Sequence, residues 1–110
     1  MYAIDTSNHK INGEKVDTFL RTIQDGDTHL EVEAGTTGFQ GACCREAGSR
    51  TYLALLCRQG NFFFGPIKDD EGRVVGIRIA SCGDDGLDAI LKALEFTYHA
   101  LDDQCSGVDD

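Results

Sequence analysis

Two periodicities divide this chain. Leu30, Val32 and Ala34 alternate with His29, Glu31 and Glu33, the period-two signature of a strand with one buried face. The alternation returns over 73–80, where Val75, Ile77 and Ile79 share one side and Val74, Gly76 and Arg78 the other. Between these lies 50–57, in which Thr51, Tyr52, Leu53, Leu55 and Leu56 suit a pleated, mostly buried strand. Phe62, Phe63 and Phe64 make a short aromatic strand, which Pro66 ends or places at a sheet edge.

Helical spacing occurs twice. Val16, Phe19, Leu20 and Ile23 fall at i, i+3, i+4 and i+7 and predict a helix over 13–24, with Asn12 as its N-cap and Gly26 as its stop. Leu87, Ile90, Leu91, Leu94, Tyr98 and Leu101 predict a second helix, capped by Asp84 or Asp85. Leu94 is expected in the core. The same helix carries a second apolar stripe, Ala89, Ala93, Phe96 and Ala100, which is expected to pack on another copy of the chain as a homodimer. The fold class that follows is α+β: a mostly antiparallel four-stranded sheet packed with two helices, in the order α-β-β-β-β-α, as one domain over 1–110.

A glycine-punctuated loop over 35–49 interrupts this scaffold. Loops of this length without secondary structure are uncommon and are often functional. Gly35, Thr36, Thr37 and Gly38 offer backbone N–H groups and hydroxyls, and Arg45 and Arg50 add cations. They form a candidate site for an anionic nucleotide, although the Gly-Lys-Ser/Thr ending of a phosphate loop is missing.

Charge changes the functional picture more than any motif. Ten Lys and Arg against nineteen Asp and Glu give a net charge of -9. A chain so acidic is a poor direct binder of nucleic acid, but it suits docking on a basic protein surface. The candidate partner-binding residues are Asp84, Asp85, Asp88, Glu95 and Asp102 on or beside the last helix, with Asp69, Asp70 and Glu71 at a turn. Asp88, Glu95 and Asp102 recur every seven residues and so share one helix face, an arrangement able to imitate a row of phosphates. The tail over 105–110 is also acidic.

Residues 1–10 lack the apolar segment of a secretory leader, and no apolar run approaches the roughly 20 residues of a membrane span. The expected location is the cytoplasm of a bacterial host, where the five cysteines are free thiols. A metal or thiol redox protein is the third reading. It would draw on the adjacent Cys43 and Cys44 with His99 or Cys105, and adjacency suits a single tetrahedral ion poorly. No cofactor and no catalytic residue are expected, and the reading is non-enzymatic.

The segments L-E-V-E-A-G-T-T-G-F-Q-G, G-S-R-T-Y and C-G-D-D-G-L-D-A-I-L-K-A-L-E-F resemble small uncharacterised proteins of phages and mobile elements in gut Firmicutes, over most of 30–96. That resemblance implies an anti-defence role. The partner would be a host defence protein with a basic surface, such as a CRISPR effector, or the role would be sequestration of a nucleotide signal.

Overall fold

In a computed structural model, residues 4–39 and 48–106 are described, with Ser106 described by its backbone alone. Six strands precede one helix: β1 (Ile4–Ile11), β2 (Glu14–Asp25), β3 (Thr28–Thr36), β4 (Thr51–Gln59), β5 (Phe62–Lys68), β6 (Val74–Ser81) and α1 (Asp84–Ser106). The α+β class holds, and the four-stranded antiparallel sheet is present in the order β1-β2-β3-β4. Its membership differs from the expectation. Strands β5 and β6 leave it and pair only with each other, as a separate hairpin. Pro66 lies inside β5, where an edge strand tolerates its missing N–H.

The helix expected over 13–24 is β2. Asn12 and Gly13 both have positive φ, 50° and 81°, the geometry of the two-residue turn that joins antiparallel strands. Asn12 is therefore a hairpin residue and not an N-cap. Asp25 and Gly26 likewise lead into the turn between β2 and β3, with Gly26 at φ 58°. Val16 and Ile23 are both fully buried. Seven residues apart is one face of a helix but opposite faces of a strand, and here each side of the sheet has apolar contacts to make.

Helix α1 packs on β3 and β2. The core joins Ile23, Leu30, Val32 and Ala34 of the sheet to Ala89, Ala93, Phe96 and Ala100 of the helix. Both assignments of helix faces are thereby reversed. The stripe expected to meet a second copy is buried in the chain's own core, at most 8% exposed, so it is not a docking face. Leu94, expected in the core, is 60% exposed, and Leu87, Leu91 and Tyr98 are exposed beside it. The physical reason is size. Three alanines let the helix lie close on the sheet and Phe96 fills the remaining space, whereas a row of leucines would hold the helix off.

On the face away from the helix the sheet curls. His9 of β1 and Tyr52 of β4 stack with ring centroids 4.0 Å apart and planes within 10°. Their strands are the two edges of the sheet, and a flat sheet would separate them by roughly 14 Å at about 4.8 Å per strand. Gly35 makes the curl feasible. A Cβ there would run into the carbonyl oxygen of Asp17 and the Cα of Thr18.

Candidate functional site

The packing of α1 sorts its remaining residues onto two flanks. At 3.6 residues per turn, Asp88, Lys92, Glu95 and Asp102 fall toward β2, and Ile90, Thr97 and Leu101 toward β4. The contacts agree. Lys92 reaches Asp25 of β2 at 3.3 Å, while Ile90, Leu94 and Thr97 border a cleft with Leu53 and Leu55 of β4.

The acidic flank begins at the start of the helix. Asp84 and Asp85 lie in its first turn, where negative charge complements the helix dipole. The hairpin turn between β2 and β3 comes against them: the Asp27 backbone N–H donates to Asp85 Oδ2 at 3.4 Å. Lys92 bridges Asp88 at 3.0 Å and Asp25. Asp25, Asp27, Asp84, Asp85 and Asp88 are thus gathered at one end of the molecule. The Asp88 carboxylate beside it pushes the Asp25 carboxyl up, and the same contact holds Asp88 down. Lys92 is raised by Asp88 and then Asp25. Asp25 and Asp27 were not among the candidates from sequence. The acidic Asp25-Gly26-Asp27 turn was the available signal, hidden by the helical reading of 13–24.

Farther along the flank, Glu95 and Asp102 are exposed, and among the described residues neither forms an ion pair. A cleft of about 400 Å³ opens beside them, bordered by Ile4, Phe19, Phe96, His99, Asp103 and Gln104. The row of Asp88, Glu95 and Asp102 therefore exists as a face, with Asp88 already engaged by Lys92.

The acids at 69–71 lie elsewhere, at the tip of the β5–β6 hairpin. Asp69 and Glu71 both pair with Arg73 at 3.0 Å. Asp69 Oδ1 also accepts the backbone N–H groups of Arg73 and Glu71, and the Arg73 N–H is the main reason its carboxyl lies below the usual range. A pKa lowered by folding stabilises the turn above the ordinary carboxylate pKa, and that contribution is lost as pH falls through the Asp69 value. We expect a pH titration followed by NMR to show Asp69 titrating below the ordinary aspartate range, with the hairpin resonances shifting as it protonates. An Asp69 that titrates at or above that range would contradict the turn geometry.

The described residues at the base of the glycine loop spend several of their donors within the chain. Thr36 N–H donates to Gln104 Oε1 of α1 at 2.9 Å, Thr37 N–H to the Arg50 carbonyl at 3.0 Å, and Gly38 N–H to Thr36 Oγ1 at 3.1 Å. Arg50 donates to the Gly48 carbonyl at 2.9 Å. These bonds tie the loop base to the end of α1. Arg45, Cys43 and Cys44 lie outside the described residues.

One cluster went unseen in the sequence. On the curled face, Glu33 Oε2 accepts the Thr18 hydroxyl at 2.6 Å and lies 2.6 Å from His9 Nε2, which stacks on Tyr52. Four strands contribute one residue each. Thr18 gives its proton to the carboxylate and not to the imidazole, so the set does not form an activated nucleophile; it secures a mostly buried carboxylate. The strand register that places His9 opposite Val16 was the missing information.

Among the described residues, no group of three or more His, Cys, Asp or Glu is placed to hold a metal ion, and no helix is long and apolar enough to cross a membrane. Cys57, Cys82 and Cys105 are free thiols. No protein-family model, curated protein or solved structure matches the chain.

Proposed function

We propose that this chain is a non-enzymatic binding protein that docks on a basic partner through the acidic flank of α1. One observation carries the reading: Lys92 bridges Asp25 and Asp88 at the start of the helix, where Asp84 and Asp85 form the first turn and the Asp27 backbone comes against Asp85. Like charges crowded in this way are relieved by incoming cations. Glu95 and Asp102 extend the charge along the flank. The neighbouring cleft has apolar walls at Ile4, Phe19 and Phe96 and the Asp103 carboxylate at its rim, which suits a lysine or arginine that buries its stem and keeps its head in water.

The resemblance to phage proteins directs the first test to defence effectors whose basic surfaces bind nucleic acid. Association rates of the chain with purified CRISPR effectors, measured at two ionic strengths, should fall as salt rises. Glu95→Lys with Asp102→Lys leaves the Asp25–Lys92–Asp88 network intact. This double variant should slow association several-fold to about a hundred-fold and leave dissociation nearly unchanged. A folded double variant that associates at the wild-type rate would remove the acidic flank from the interface.

A further inference from the structure

The β5–β6 hairpin is an arm without a partner. Only Gly60 and Asn61 separate it from β4, yet β5 does not continue the sheet. At its base the Cys82 N–H donates to the Asn61 carbonyl at 3.1 Å and Phe62 packs against the core; farther out the arm is exposed. Phe64, Ile77 and Ile79 lie on one face by register, and Ile77 is 68% exposed. A two-stranded hairpin with uncovered apolar faces is marginal in water. The second unpartnered surface is the outer stripe of α1, Leu87, Leu91, Leu94 and Tyr98, which continues through Leu94 into the cleft bordered by Leu53, Leu55 and Ile79.

The two surfaces are of comparable length, and the arm carries no net charge. Seven residues of strand extend roughly 23 Å, and the helix rises about 17 Å from Leu87 to Tyr98. The arm carries Lys68, Arg73 and Arg78 against Asp69, Asp70 and Glu71. It is therefore neutral within a chain of net charge -9, and it is the part that can approach another copy without repulsion.

The exposed apolar surface is large. Phe63, Phe64, Val74, Val75 and Ile77 of the arm and Leu87, Leu91, Leu94 and Tyr98 of the helix are each 42–68% exposed, and contiguous apolar surface of this kind marks an interaction site.

We infer that two copies of this chain form a two-fold dimer in which the β5–β6 arm of each lies on the outer leucine stripe of α1 of the other. The contact is isologous, so it closes without leaving an arm free. It uses the outer stripe of α1, which adjoins Glu95 and Asp102 on the helix surface, while Asp88 and Lys92 lie round toward β2 and remain outside the contact.

Sedimentation velocity tests this directly. The wild type should sediment as a dimer at tens of micromolar, and Ile77→Lys or Leu94→Glu should each give monomers with unchanged circular dichroism. Mixing these two variants should restore dimers, because Lys on one arm then faces Glu on the other copy's helix while the second contact is native. Where a charged variant loses its circular dichroism signal, Ile77→Ser and Leu94→Ser provide the monomer test. A wild type that stays monomeric would overturn the inference and leave the stripe to a different protein. Dimers that survive both folded substitutions, or no heterodimer on mixing, would overturn it as well.

Discussion

Phe96→Ala should destabilise the chain by about 3–5 kcal/mol, while Leu94→Ala two residues away should cost less than ~0.5 kcal/mol. Phe96 is 8% exposed in the cluster that joins α1 to Ile23, Leu30, Val32 and Ala34, and the Arg21 guanidinium lies 6.0 Å from its ring centroid. Truncation leaves a cavity that the neighbouring alanines cannot fill. Leu94 is 60% exposed, so its removal leaves none. The comparison is made by urea unfolding in the Ile77→Lys background, which keeps copies apart. Equal losses at the two positions, or a larger loss at Leu94, would mean that α1 meets the sheet by its leucine face. The acidic flank would then turn to another side.

A comparable loss should follow Gly35→Ala, about 3 kcal/mol, at the upper end of overpacking costs. The added Cβ would meet backbone, at the Asp17 carbonyl oxygen and Thr18 Cα, and neither can rotate away. Relief requires β2 and β3 to separate. That separation would loosen the curl holding His9 against Tyr52 and Thr18 against Glu33. Gly35 thus has a structural task that its place in a glycine-rich stretch did not reveal. A loss below ~0.5 kcal/mol would show that the strands do not approach so closely there.

Much of the fold was legible because its periodicity was unambiguous. Leu30, Val32 and Ala34 alternate without exception and lie in β3, and Val75, Ile77 and Ile79 lie in β6 as expected. The stretch at 13–24 misled because Val16, Phe19, Leu20 and Ile23 satisfy a helical spacing, while β2 is buried on both faces and so gives no clean alternation. Asn12-Gly13 held the contrary evidence: that pair flanked by strands is a strong hairpin signal. Helix α1 was legible as a helix and not in its rotation. Two apolar stripes are equivalent to a periodicity argument, and only the small size of Ala89, Ala93 and Ala100 separates the face that lies close on a sheet.

The candidate site divides in the same way. The charges on α1 were readable because helical rotation is local. Asp25 and Asp27 were not, because their approach to Asp85 and Asp88 depends on how the sheet and helix meet. The detachment of β5 from β4 is likewise tertiary. Gly60-Asn61 is a short connection like any hairpin turn, and nothing local indicates that the next strand will pair forward instead of back.

Nucleic-acid displacement tests the functional claim most directly. A fluorescent duplex bound to a DNA-targeting CRISPR effector is titrated with this chain at about 0.05 M and about 0.2 M salt, and anisotropy reports release of the duplex. The wild type should release the duplex, more protein should be needed at the higher salt, and folded Glu95→Lys/Asp102→Lys should release little. Equal release by wild type and the folded double variant, or none by wild type across several effectors, would contradict docking through the acidic flank.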